Sequence, residues 1–446
     1  MKIPNTRKDT NFLLKKSGIA LTVKVGGIIT QYLFVFTVAR LLGPGVLGSF
    51  TLSFTVLQLL SILGLLGLDN LLTRKVAAAK AGNRPDEIKK AFLTALKITT
   101  FSSLLLSALL YFTSDLIAVQ LFGKPQLAQH LRMMCFALAP FVIINIHASA
   151  FRGMKNMIGF TLFRAIIPLL NVLFILISWY ASLSISPAMG YLFSSLIVLI
   201  FYVIAWRRFS ADPTDTLLPE SSGSWKEMVN ESLPMMITGS IFFILNWIDN
   251  LVIGIYRTEA EVGIYDTAFK IAAISAVVLM AMNAIQGPTF AEFHSQNDLS
   301  KLRRSIYTST RLLFYATLPF TLIIIVFPEL ILSLFGNEFI SAGTALIILT
   351  IGNFFSTITG SVGILLQMTG HQRQYNIIIL ITAITSITMN ILLVPEFGIT
   401  GAAISSATAK IIQNFGGAYY VYKKFGFLSI YLPGIPRPKD IPTINQ

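Results

Sequence analysis

Lys24, Lys270 and Lys410 stand inside apolar stretches long enough to cross a lipid bilayer, and that placement limits what they can do. An ammonium group in hydrocarbon costs a few kcal/mol on insertion scales unless it finds a partner, a wet cavity or a route to the interface. At about 1.5 Å per residue, Lys24 lies about 12 Å past Lys16, and Lys410 about 15 Å past Thr400, near the midplane. A lysine at that depth cannot easily bring its charge back to the surface. Asp266 and Lys270 are spaced i, i+4, which permits an ion pair on one helical face. Asp249 has Asn246 and Asn250 beside it, a polar patch that either lines a cavity or bonds a neighbouring helix. Gln31 shares a helical face with Lys24, seven positions on, and Asp69 sits near a cytoplasmic helix end.

Four further cations, Lys97, Arg132, Arg164 and Arg311, lie within about two turns of expected helix ends, where a long side chain can snorkel. Cations outnumber carboxylates in the apolar stretches. A cavity lined by Lys24, Lys270 and Lys410, with Gln31, Asp69, Asp249 and Asp266 as polar or gating groups, would favour an anion such as a phosphate or diphosphate. A site for a cationic drug would need the opposite sign. No catalytic constellation accompanies these residues. His130, His147, His294 and His371 are scattered, and no phosphate-cradling Gly-x-x-x-x-Gly-Lys-Ser/Thr is present, so neither metal chemistry nor ATP hydrolysis is expected and no cofactor is implied.

The elements that would position these groups are helices. The hydrophobic fraction is 54% and only 12% of residues are charged, which sets the chain outside soluble globular proteins. In lipid the backbone must satisfy its own hydrogen bonds, so the apolar runs read as helices. Twelve spans are expected, near 17–41, 46–69, 91–113, 126–150, 160–181 and 185–206, then 233–256, 262–289, 305–327, 341–368, 374–394 and 400–422. The first run is too long for a signal-peptide core and carries Lys24, so it is expected to be retained as a span. Pro140, Pro168, Pro288 and Pro319 fall inside spans, and Gly26, Gly27, Gly64 and Gly67 permit close helix approach.

The two halves echo one another. Leu-Phe-Gly at 121–123 returns at 334–336, and Gly48-Ser-Phe-Thr-Leu-Ser-Phe54 is echoed by Gly263-Ile-Tyr-Asp-Thr-Ala-Phe269. Gly190 with Ser194-Ser195 returns as Gly401 with Ser405-Ser406, again at an offset of about 213 residues. Such duplication is the architecture of a transporter. The expected layout is an N-terminal six-helix lobe over 1–206, a cytoplasmic linker over 207–232, a C-terminal six-helix lobe over 233–424 and a cytoplasmic tail over 425–446.

Most of the 34 Lys and Arg residues collect on one side when loops are assigned alternately; the other side holds at most Arg40, Lys124 and Arg257. The bias sets both termini in the cytoplasm of a plasma (inner) membrane. It also accounts for the net charge of +14 without nucleic acid. Segment 70–90, with Arg74, Lys75, Lys80, Arg84, Lys89 and Lys90, reads either as an amphipathic helix on the inner surface or as a basic loop. The one cysteine, Cys135, excludes an internal disulfide.

Several stretches carry a resemblance. Arg40-Leu-Leu-Gly-Pro-Gly-Val-Leu-Gly48, Leu68-Asp69-Asn70 through Arg74, Asp249 with Val262-Gly-Ile-Tyr265 and Phe269-Lys270 are among them. Gly287-Pro288 with Phe290, Phe327-Pro328 and Leu334-Phe-Gly-Asn-Glu-Phe339 follow in order. Together the chain resembles the polysaccharide-biosynthesis (O-antigen-type) flippases of the multidrug/oligosaccharidyl-lipid/polysaccharide exporter superfamily. The resemblance implies an all-α polytopic membrane protein with two pseudo-symmetric six-helix lobes in a V. It implies alternating-access transfer of a polyprenyl-diphosphate-linked oligosaccharide to the outer leaflet, for lipopolysaccharide or another surface polysaccharide. Its partners would be the lipid bilayer, a polysaccharide polymerase and a chain-length regulator. In such relatives spans one, two, seven and eight line the cavity, which carries over to Lys24, Asp249, Asp266 and Lys270. An ion-coupled multidrug antiporter of the same superfamily, a membrane glycan polymerase and a non-transporting scaffold are the rival readings. The short outer loops near 114–125 and 328–340 argue against the polymerase, and the buried charges against the scaffold.

Overall fold

The computed structural model describes residues 6–183, 186–209 and 225–433, and within them the side chains of 6–21, 24, 209, 238 and 242 lie outside the description. Every regular element among the described residues is helical. They are α1 (Thr6–Leu65), α2 (Leu68–Ala81), α3 (Pro85–Leu116), α4 (Leu127–Gly153), α5 (Met157–Tyr180), α6 (Pro187–Phe209) and α7 (Trp225–Tyr256). The second half continues with α8 (Glu259–Ala272), α9 (Ile274–Ser295), α10 (Leu299–Val326), α11 (Pro328–Ser333), α12 (Gly343–Thr359), α13 (Val362–Met368) and α14 (Gln372–Phe425).

Nine of these helices are long and apolar enough to cross a membrane, or ten if the two parts of α7 count as one span, among the described residues. Two have a non-helical glycine inside: Gly43 in the 60-residue α1 (φ 83°) and Gly398 in the 54-residue α14 (φ 56°). At about 1.5 Å per residue both are long enough to cross twice, and twelve crossings follow if they do. Large side chains face outward along the spans, Phe101 at 73% and Phe112 at 81% exposure among them. That is the surface a lipid-embedded bundle presents, since lipid gives no drive to hide them. The protein is an all-α, multi-pass membrane protein.

The chain divides into two compact units, Met1–Phe243 and Ile244–Gln446, with the division inside α7. In the N-terminal unit α4 is the central helix, packed by α1, α2, α3, α5 and α6. Its His147 is a core residue: Nδ1 lies 2.9 Å from the Ile143 carbonyl and the ring meets Phe92 edge-on. Helix α2 buries Leu68, Leu71, Leu72 and Val76 and turns Arg74 and Lys75 outward, where both pair with Glu231 on the first turns of α7. The basic segment is therefore helical as far as Ala81, and its apolar face is covered by protein. Gly153 lets α4 approach α2, since a Cβ there would lie 2.7 Å from that of Val76. The linker expected over 207–232 lies mostly outside the described residues, as does the tail beyond 433.

In the C-terminal unit α12 packs on α8, α10 and α14. Helix α8 starts with a full capping box between Thr258 and Glu261. Where α14 breaks at Gly398, the carbonyls of its first part lose their helical partners. Arg257 takes them up, bonding the Val394, Pro395 and Glu396 oxygens at 3.2, 2.9 and 3.1 Å. Two expected spans are interrupted, one between α8 and α9 at Ala273 and one between α12 and α13 at Gly360 (φ 73°). Behind α14 a short strap returns to this second joint. Phe427, Ser429 and Tyr431 are buried, Tyr431 N donates to the Ile358 carbonyl at 2.9 Å, and the Tyr431 ring packs 5.5 Å from Phe314.

Gly352 sets the spacing of α12 and α14, because a Cβ there would sit 2.7 Å from the Ala407 Cα. Gly343, at the start of α12, has open space around it and ordinary helical dihedrals. Gly352→Leu is expected to destabilise the protein by about 1–3 kcal/mol through overpacking. Gly343→Ala is expected to be neutral or stabilising by up to about 1 kcal/mol. Thermal unfolding of both variants in detergent measures the contrast.

Candidate functional site

Lys410 lies on the second part of α14, in a run that brings Ser406, Lys410, Gln413 and Asn414 to one face at i, i+4, i+7 and i+8. Its ammonium donates to the Asn353 side-chain oxygen and stands 5.2 Å from the centre of the Phe269 ring. Asn353 is held in that orientation because its amide nitrogen donates to the Ala272 carbonyl at 2.9 Å. That carbonyl belongs to the last residue of α8 and accepts also from the Ser275 hydroxyl at 3.2 Å. The end of α8 thus anchors the amide that receives the lysine. A neutral amide and a ring face both stabilise a cation without cancelling its charge.

This lysine borders a cavity of about 270 Å³ walled by α9, α12, α13 and α14. Asn283, Gln367, Tyr375, Gln413 and Asn414 also line it, and Lys410 is the sole charged residue among its described lining. The amides are held in place: Gln413 donates to the Tyr375 hydroxyl at 3.0 Å and Asn414 to the Ser356 hydroxyl at 2.9 Å. An amide-rich recess with one ammonium and no carboxylate can receive an anion or a hydroxyl-bearing group.

Asp249 is placed differently. It is buried on α7 and accepts hydrogen bonds from Tyr265 at 2.6 Å, from Asn390 at 2.7 Å and from Ser406. These donors come from α8 and from both parts of α14, so one carboxylate ties three helices together. Asp266 forms an ion pair with Lys270 on the same face of α8, and Asn250 approaches it at 3.5 Å. Lys270 therefore carries its countercharge with it. Asp249, Asp266 and Lys270 are not among the lining residues of the cavity at Lys410.

The remaining site residues expected from sequence belong to the N-terminal unit. Lys24 is on α1, and its side chain lies outside the described ones; Gln31 is exposed on the same helix. Asp69 is in the first turn of α2, half-buried. Of the other cations, Lys97 and Arg311 are exposed, Arg132 pairs with Asp115, and Arg164 stands 5.6 Å from the Phe160 ring centre. Sequence reasoning did not single out Asn353, Asn390 or the amides at 283, 413 and 414. The signal was present in α14, where four polar side chains share one face of an apolar span. No cluster of three or more potential metal-ligating His, Cys, Asp or Glu side chains occurs among the described residues.

A helical membrane bundle in two units, with a lysine held inside the second by an amide and a ring, is an arrangement compatible with a membrane transporter. The sequence model described as polysaccharide biosynthesis protein matches residues 13–294, and a second, MatE, matches residues 234–392. The chain belongs to the polysaccharide biosynthesis protein family. It is similar to the probable low-salt glycan biosynthesis flippase Agl15 of Haloferax volcanii, 25% identical over 44% of this chain and 42% of that protein. It is similar also to the probable flippase AglR of the same organism, 26% identical over 36% of this chain and 34% of that one. The chain thus matches less than half the length of these curated relatives.

Among solved structures, an inward-facing multidrug resistance MATE family transporter of the MOP superfamily superposes with a TM-score of 0.73 at 16% identity, covering 91% of this chain and 98% of that one. The lipid II flippase MurJ in an inward closed conformation gives 0.72 at 16% identity, covering 91% and 89%. A Pyrococcus furiosus MOP superfamily transporter, described as having a binding pocket of reverse polarity, gives 0.60 at 16% identity over 92% and 95%. These likenesses show the fold.

The network around Asp249 makes a stability prediction. Asn390→Leu removes one donor from a buried carboxylate, a loss of about 1.5–3 kcal/mol. Lower thermal stability of the purified variant, relative to a surface substitution such as Lys97→Gln, is the expected result.

Proposed function

We propose that this protein is a flippase that carries a polyprenyl-diphosphate-linked oligosaccharide from the cytoplasmic to the outer leaflet, for the building of a cell-surface polysaccharide. The observation that carries the reading is Lys410. It is a cation inside the bundle with an amide and an aromatic face as partners, beside a cavity without a lining carboxylate. Asp249 offsets part of this charge through space, and what remains in a low-dielectric site attracts an anion far more strongly than it would in water. A diphosphate headgroup supplies that anion, while the prenyl chain remains in lipid. The flippase names of the relatives support the same substrate class.

In this reading the lobes 1–206 and 233–424 alternate between inward and outward access about the 207–232 linker, with both termini in the cytoplasm of the inner membrane. Lys24 contributes from the N-terminal lobe, with Gln31 and Asp69 as polar or gating groups. Lys270, paired with Asp266, contributes less, and Asp249 holds the helices that carry Lys410. The protein moves its cargo without altering it, and hands it to a polymerase working with a chain-length regulator.

A second reading, an ion-coupled multidrug antiporter, draws on the buried Asp249 and on the MatE match. Drug resistance conferred by overexpression would favour it.

Rescue of surface polymer in a flippase-null strain tests the first reading. Lys410→Ala is expected to lower exported polymer about tenfold or more at unchanged protein level, the equivalent of about 1.4 kcal/mol of lost interaction. Lys410→Arg retains a larger share. Unchanged export by both Lys410→Ala and Lys24→Ala would sink the cationic site.

A further inference from the structure

We propose that the cavity beside Lys410 is a sugar subsite, which takes one ring of the lipid-linked glycan and reads its hydroxyls through side-chain amides. The proposal rests on the flippase reading and goes further, because it says which part of the cargo the C-terminal unit recognises. Size is the first ground. At about 270 Å³ the cavity falls just below the range of roughly 300–1,000 Å³ for small-molecule sites. It has room for a group the size of a single ring and not for an oligosaccharide.

Chemistry is the second ground. Asn283, Asn353, Gln367, Gln413, Asn414 and Tyr375 bring amides and a phenol from α9, α12, α13 and α14 to one recess. An amide both donates and accepts, as does each sugar hydroxyl, so the two match group for group. A phosphate oxygen only accepts. The cavity lining holds one acceptor that a phosphate cannot satisfy: the Asn283 Oδ1 is buried and has no partner among the described residues. The Ser361 Oγ is likewise without one, and as a hydroxyl it can donate or accept. Leaving the Asn283 oxygen unmatched costs about 1–3 kcal/mol, which a ligand hydroxyl within reach would recover.

The third ground is preorganisation. The bonds from Gln413 to Tyr375 and from Asn414 to Ser356 fix two of the amides before any ligand arrives. Gly363 keeps the wall open for Tyr375, since a Cβ there would collide with the phenol. Groups held this way bind with less loss of side-chain freedom. Lys410 stands at the same recess, so a ring seated among the amides would carry its phosphate-bearing end toward the ammonium.

The test uses the purified full-length protein in detergent and five synthetic lipids. These are citronellyl diphosphate without sugar, and the same lipid bearing glucose, galactose, N-acetylglucosamine or glucuronate. Wild type is expected to bind at least one glycosylated lipid about tenfold more tightly than the bare diphosphate. Asn283→Leu on α9 and Gln413→Leu on α14 are each expected to reduce that gain to within about twofold, while affinity for the bare lipid is kept. Retained binding of the bare lipid also reports that the variants are folded. Equal binding of all five lipids by wild type overturns the subsite and leaves the flippase reading standing. Variants that weaken bare and glycosylated lipids alike also overturn it. Failure of wild type to bind any of the five overturns the flippase reading and the subsite with it.

Discussion

An ammonium ion carried into the middle of a helical bundle must be held by something other than water, and the choice of holder decides what it can still do. A carboxylate would stabilise it best and leave nothing for a ligand. Asn353 and the Phe269 ring meet Lys410 directly, and the Asp249 carboxylate acts on it through space. Asn353 is anchored in turn by the Ala272 carbonyl, at the last residue of α8. The interruption of a membrane helix, the orientation of an amide and the electrostatics of the cavity form one chain of cause.

The other intramembrane charges illustrate the alternatives. Asp266 and Lys270 neutralise one another on a single helix face, which makes them tolerable in a low-dielectric surrounding at the expense of any field. Asp249 is satisfied by three neutral donors from three segments, and its contribution is cohesion among the helices that also position Lys410. Arg132 and Arg164 reach an acid and a ring respectively. Similar residue types are thus consigned to cancellation or to bracing according to the partner that each meets.

Much of this was legible in the residues. Length and hydropathy sufficed for the helices, and the depth of Lys410 marked it out. The i, i+4 spacing of Asp266 and Lys270 allowed the pair that forms. The breaks at Ala273 and Gly360 were not legible, because neither contains the proline that usually announces an interrupted helix. The partners of Asp249 and Lys410 were hidden for a different reason. Asn390 is 141 residues from Asp249, and Asn353 is 57 from Lys410, so only tertiary packing brings them together. Arg257 looked like a loop cation and proves to cap the broken end of a helix. Conversely, the apolar face of the basic segment at α2 lies against protein, a distinction that amphipathicity cannot make.

The strap behind α14 has a practical corollary. Tyr431 laces the end of α12 at Ile358, next to the Gly360 joint that borders the cavity. A reporter enzyme spliced directly after Phe425 would cut away that lace and slacken a wall formed some seventy positions upstream. Fusions intended to map topology, or tags intended for purification, belong beyond Leu432.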